Sequence, residues 1–197
     1  MKVKQPGFTF IVGEDFKDNK SLAEYKKLKK DLGYHVDTIN INKDLSTPDE
    51  IREKLQELLK SETVDLQHAL IIGDVEQVDS KKSSIIRGKT DHYYRALDTD
   101  KYEEDINGPD IGVGRLTVTT DAELDVVIEK LTKYQKGGFS NLDWVADISF
   151  IATDDYTFHK VAEGSHNHVI ENYTSSLGYM GIFPAADTKG GEREIGK

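Results

Sequence analysis

Three groups of residues have types and spacings that could do chemistry. Asp154-Asp155 directly follow the apolar run Val145 to Ile151. A carboxylate just beyond a strand can orient a histidine supplied by a neighbouring strand, as the third member of a nucleophile–base–orienter set. The same placement equally suits a helix N-cap or a turn aspartate. Glu163, ahead of the next apolar-periodic segment, is either an acidic specificity determinant or a favourable charge near a helix N-terminus. Upstream, Asp91, Asp98, Asp100, Glu103, Glu104, Asp105 and Asp110 crowd one polar stretch. These are the hard oxygen ligands that calcium takes, without the spacing of an EF-hand loop. A solvated acidic loop is the alternative.

Other groups are weaker. His159, His166 and His168 lie close in sequence, but two residues apart on a helix face different directions, which argues against a zinc pair. Asp74 stands just past a strand, at the edge where parallel sheets place ligands, and equally suits a turn aspartate bonding nearby backbone N–H groups. Gly112-Val113-Gly114-Arg115 lacks the third glycine and the following helix of a dinucleotide fingerprint, and no lysine-bearing phosphate loop occurs, so no nucleotide is expected. The chain has no cysteine. Disulfides, thiolate metal sites and a thiol nucleophile are therefore excluded within these residues.

The 197 residues carry 26 Lys+Arg against 36 Asp+Glu, a formal charge of -10, and the pI is about 5.1. Such a chain repels the nucleic-acid phosphate backbone, so no nucleic acid is expected as partner. No stretch approaches the roughly 20 apolar residues of a membrane span, and Met1 to Pro6 lacks the apolar region of a signal peptide; no membrane partner is expected.

The elements that must position these residues can be read in order. Phe8 to Val12 is a short apolar run suited to a strand covered on both faces. Ser21 with Glu24 reads as a capping box opening a helix that stops at Gly33. Tyr34 to Ile41 reads as a strand, and Thr47-Pro48-Asp49-Glu50 opens a second helix with proline at its first position. His68 to Ile72 is a third strand. The order β-α-β-α-β predicts a parallel sheet with helices on its faces. Residues 75–108 are polar and irregular, with Tyr93-Tyr94 a short strand; so long a connection in a compact domain is usually functional or mobile. Ile111 to Val113 reads as a strand, and Thr120 with Glu123 opens a helix ended by Gly137-Gly138. Beyond the polar segment Gly137 to Asp143 come a strand Val145 to Ile151, a helix around His166 to Leu177 and a strand around Met180 to Phe183.

Several segments, in this order, resemble the gingipain-like cysteine peptidases (peptidase family C25). They are Leu32-Gly33-Tyr34-His35-Val36, Ala69-Leu70-Ile71-Ile72-Gly73-Asp74, Lys89-Thr90-Asp91-His92-Tyr93-Tyr94 and Asp110-Ile111-Gly112-Val113-Gly114-Arg115-Leu116. The series continues through Lys133-Tyr134, Trp144, Ile151-Ala152-Thr153 and His166-Asn167-His168-Val169-Ile170-Glu171-Asn172, so the resemblance runs from about Phe8 to Phe183. It implies a three-layer α/β/α, caspase-like fold with a mainly parallel sheet. Residues 1–139 would form the first subdomain, and 140–197 would open the catalytic one as strand-helix-strand. It also implies peptide-bond hydrolysis by a cysteine–histidine pair that lies beyond this chain. The polypeptide substrate and the remainder of the catalytic subdomain would then be partners, with calcium as cofactor and a secreted or cell-surface location in a bacterium. By position, Asp155 matches the acidic residue that supports the family's catalytic histidine. Glu163 falls near the acidic residue that binds arginine in arginine-cleaving members, with Glu in place of Asp and a gap between Asp155 and His166. On the residues alone, a non-catalytic binding module and a flavodoxin- or receiver-like small-ligand protein stay open as rivals.

Overall fold

In a computed structural model, which describes residues 3–104, 108–150, 158–174, 181–184 and 192–195, the chain divides into two compact units, Met1–Gly138 and Phe139–Lys197.

The first unit is a parallel four-stranded sheet in the order β2-β1-β3-β6. Its strands are β1 (Gln5–Val12), β2 (His35–Asn40), β3 (Val64–Ile72) and β6 (Gly112–Leu116). A two-strand hairpin, β4 (Lys81–Lys82) with β5 (Lys89–Thr90), stands apart from it. Strand alternation assigns the two faces. Ile11, Ile39, Ala69 and Ile71 point to one side, where α2 (Pro48–Leu59) covers them with Ile51 and Leu55. Phe8, Phe10, Val12 and Ile72 point to the other, under α1 (Lys20–Asp31) and α3 (Asp121–Lys136), which contribute Leu22, Tyr25, Leu124 and Ile128. This is the three-layer α/β/α arrangement the periodicities predict, since strands buried on both faces read as continuous apolar runs.

Helix starts follow local chemistry. Thr47 and Thr120 each accept from the backbone of the residue three positions on, and Glu50 and Glu123 reach back to complete both capping boxes. The start of α1 differs from expectation. Asn19, not Ser21, is the N-cap, its side chain accepting from Leu22 N at 2.9 Å. The Asn19 amide also donates to Asp121 and Asp125 on α3 at 2.9 and 3.1 Å, so one residue caps a helix and ties it to its neighbour. Gly137 ends α3 at φ 65°, a left-handed cap that costs a glycine little. Inside α1, Lys29 is buried, with its ammonium 4.6 Å from the Phe8 ring centroid and 5.2 Å from that of Tyr25. Burial pushes its amine below the usual lysine range.

Several strands are longer or placed otherwise than expected: β1 starts at Gln5 and β6 runs on to Leu116. β3 begins at Val64, and its first half, Val64-Asp65-Leu66-Gln67, alternates buried and exposed. A register shift opposite Gly7/Phe8 then lets the continuous run His68–Ile72 follow. Tyr93-Tyr94 is not a strand but lies in a 3₁₀ turn, Asp91–Tyr94, capped by Thr90.

In the second unit, α4 (His159–Val169) runs into a π-helical turn, Ile170–Thr174, and β7 (Gly181–Pro184) pairs antiparallel with β8 (Glu192–Ile195). The run expected as a strand from Val145 starts instead in a 3₁₀ turn, Asp143–Ala146, followed by residues 147–150 without regular structure. A strand persists only where a neighbour satisfies its backbone groups.

Candidate functional site

The carboxyl edge of the sheet is where a parallel α/β fold gathers its chemistry, and here the long connection from Gly73 to Asp110 is folded onto it. The ladder extends past the strand ends, with Gly73 N donating to Leu116 O at 3.0 Å and Asp74 N to Val118 O at 3.2 Å. Arg115, on β6, faces the same side as α2, and its side chain is only 10 % exposed. Its guanidinium reaches five acceptors. Nε donates to Asp91 at 2.8 Å, and Nη1 to Gly73 O and Val78 O at 2.9 and 3.0 Å. Nη2 donates to Asp91 and Ser80 Oγ at 2.7 and 2.8 Å. The fork-on-fork contact with Asp91 is the strong, geometrically fixed kind. Burial pushes the Asp91 carboxyl up, but hydrogen bonds from Arg115 and Ser80 outweigh it and hold the group below the usual carboxylate range. Tyr94 adds a hydroxyl bond to Asp79 O.

A second clasp comes from α2. Arg52, 6 % exposed, donates to the carbonyls of Tyr93 (3.2 Å), Ala96 (2.7 Å) and Thr99, with its guanidinium carbon 4.7 Å from the Tyr93 ring centroid. Gln56 donates to Leu97 O at 2.7 Å. Asp110 closes the far end, accepting from Leu97 N and Asp98 N at 2.5 and 3.0 Å. Sequence reasoning missed both arginines as anchors; Arg115 has one local signal, a cation inside the otherwise uncharged strand Gly112–Leu116, whereas Arg52, among Glu50, Glu53 and Lys54, has none.

This set is an anchoring network. Ser80 is buried, its hydroxyl donates to Asp91 at 2.6 Å, and no histidine bonds it among the described residues. A serine so placed lacks the base that would activate it.

Asp91 therefore spends its oxygens on Arg115 and Ser80. Glu103 accepts from Ser84 N and Oγ, both at 2.7 Å, and side-chain bonds from Ser83 and Ser84 bring its carboxyl down to about 2. Asp98 and Asp100 are exposed on the same connection. Among the described residues, no three Asp, Glu, His or Cys side chains are grouped to hold a metal ion; Asp105 lies outside the described residues.

Asp155 also lies outside the described residues. Glu163 is half-buried within α4 rather than ahead of it, because the helix opens at His159. His166 and His168 do diverge: the His166 ring lies against Phe150 at 5.1 Å, while His168 Nδ1 is 3.2 Å from the Asn172 amide. Asp74 caps its own turn, its carboxylate accepting from Val75 N at 2.7 Å while its backbone N–H also donates to the Gln77 side-chain Oε1 at 3.1 Å. The crevice between β1 and β3, where such a sheet would seat a small ligand, is occupied by protein. A Cβ on Gly13 would meet Gln77 Cβ at 2.9 Å, and one on Gly73 would meet it at 2.8 Å, with Phe16 behind. Gly112 and Gly114 lie inside β6, and the first clears His68 Nδ1, which a Cβ would approach to 2.9 Å. No described helix is long and apolar enough to cross a membrane.

Comparison with known proteins places this architecture. Lys-gingipain W83 of Porphyromonas gingivalis is 23% identical over 115 residues, 57% of this chain and 6% of that protein. A solved protease structure superposes with a TM-score of 0.72 at 19% identity, covering 87% of this chain and 38% of its own. The Arg-specific cysteine proteinase gingipain R gives a TM-score of 0.56 at 16% identity, over 68% of this chain and 29% of its own. A complex of Porphyromonas gingivalis RgpB pro- and mature domains gives 0.55 at 17% identity, over 65% and 29%. The chain spans well under half the length of the proteins it matches. The structural likenesses establish the caspase-like α/β fold expected above. The sequence itself matches the profile of peptidase family C25 over residues 2–195, and the chain belongs to that family.

Proposed function

We propose that these residues form the front part of the catalytic domain of a gingipain-like cysteine endopeptidase, whose cysteine and histidine are supplied by residues other than these 197. The observation that carries this reading is membership of a cysteine-peptidase family in a sequence with no cysteine. On this reading residues 1–139 are the supporting subdomain and 140–197 open the catalytic one, to be completed by the rest of that subdomain.

The chemistry is acyl transfer. A thiolate adds to the scissile carbonyl carbon, backbone N–H groups hold the oxyanion, the imidazolium gives its proton to the leaving amine, and water then hydrolyses the thioester. Asp155 would orient the imidazole, and Glu163 would receive a basic substrate side chain. The relatives named for Lys and Arg specificity support a basic residue at the cleaved position. A secreted or surface location in a bacterium goes with the same kinship.

Purified 1–197 is expected to leave peptides ending in Arg or Lys uncut. A longer chain carrying the cysteine and histidine should cleave them and lose that activity to iodoacetamide. In it, Asp155→Asn should lower kcat by about a hundredfold. Iodoacetamide-insensitive cleavage by 1–197 would reject the mechanism. Calcium, if bound, would have to draw on Asp98, Asp100 and Asp105, since Asp91 and Glu103 are engaged. A melting temperature lowered by EGTA supports an ion there, and an unchanged one removes it.

A further inference from the structure

The β4–β5 hairpin carries a six-residue tip, Ser83 to Gly88, closed by Ser83 N donating to Gly88 O at 2.8 Å. Ile85 and Ile86 are 64% and 62% exposed at this tip, which neither anchoring arginine reaches. Arg87 is exposed as well and sits at φ 54°, the only left-handed non-glycine among the described residues. That conformation is strained for a residue with a Cβ. The hairpin is two residue pairs long, and so short a ribbon opens readily. An exposed arginine followed by a glycine at a loop tip is open to an arginine-directed endopeptidase. Lys82 is a poorer candidate: the residue after it, Ser83, is buried, and its Oγ accepts from Ile85 N and Ile86 N at 3.1 and 3.2 Å.

We propose that the Arg87–Gly88 peptide bond is a processing site for an endopeptidase with an acidic pocket for arginine, and that cutting it yields a two-chain form whose halves stay together. The cut adds water across one bond: hydroxyl to the Arg87 carbonyl carbon, hydrogen to the Gly88 nitrogen, with no other reactant. Both halves are clasped on either side of it. From the front half, Gly73 O, Val78 O and Ser80 hold Arg115, and Arg52 holds the carbonyls of Tyr93, Ala96 and Thr99. β3 pairs with β6 across the same division. Glu103 works as the latch, since its carboxylate grips Ser84 N and Oγ and resists opening of the tip. This inference does not rest on the chain's own peptidase activity.

The test is digestion of the 1–197 chain with trace trypsin, followed by intact mass and size exclusion. The first products should be 1–87 and 88–197, co-eluting under native conditions. Arg87→Gln should slow cleavage at this bond more than about a hundredfold, because a pocket built for a guanidinium rejects a neutral amide. Glu103→Ala should speed it by about fivefold, because cleavage follows the open population. A first cut elsewhere, halves that separate on cutting, or a Glu103→Ala rate equal to the parent's would each overturn the proposal.

Discussion

Replacing Arg115 by methionine is expected to lower the free energy of unfolding by about 3–5 kcal/mol at neutral pH, because it strands a half-buried carboxylate and several carbonyls. Asp91 loses its guanidinium partner, and Gly73 O, Val78 O and Ser80 Oγ lose a donor. The pH dependence follows from the direction of the Asp91 shift. In the parent the folded carboxyl lies below its ordinary value, so its stabilisation is fully present above that ordinary value and is lost as pH falls through the folded one. In Arg115→Met, burial acts on Asp91 without the guanidinium, its carboxyl moves upward, and acidification relieves the variant. Urea unfolding at pH 7 and at pH 3 should show the gap between parent and variant shrinking in acid. A gap that is equal at the two pH values would remove Asp91 as the reason for the loss.

Arg52→Met should cost about 2–4 kcal/mol, from three carbonyls deprived of a charged donor and the lost stacking on Tyr93. Its signature is local. Amide hydrogen exchange should quicken through residues 93–99 and stay slow in β1 and β3, where the sheet ladder does not pass through this clasp. Uniform acceleration throughout the first unit would show that Arg52 supports the whole core instead. Because both arginines restrain one connection, the double variant should lose less than the sum of the two, by about 0.5–3 kcal/mol.

What was legible in the sequence was what local chemistry decides. The Thr47–Glu50 and Thr120–Glu123 boxes and the Gly137 cap each lie within a few residues of their partners, and they sit where the pattern puts them. Ser21 with Glu24 mimics such a box, but the helix starts one residue after Asn19, whose side chain gains both the Leu22 N–H and two carboxylates on α3. The Leu22 contact is local, but the two carboxylates lie more than a hundred positions away and leave no trace near Asn19. The first half of β3 was missed because Asp65 and Gln67 break the apolar run, though their alternation with Val64 and Leu66 is a period-two signal in its own right. The family emerged from the order of short segments, while the clasp that holds the long connection did not. Asp91 was seen as one of many carboxylates, and only the fold brings Arg115 to it.

The strand order β2-β1-β3-β6 has a consequence for how the chain matures as it leaves the ribosome. β1, the first of the four in sequence, is an interior strand; β2 and β3, which follow it, pair on its two sides, and β6, the last of the four, pairs with β3. No strand has to be inserted between two that are already paired. Parallel pairing across long stretches of sequence is slow because each pairing must close a large loop first. With this order each closure, taken in sequence, would add to an edge strand rather than insert between paired ones. The long connection follows β3 in the chain, and Arg52, which clasps it, belongs to a helix that precedes β3.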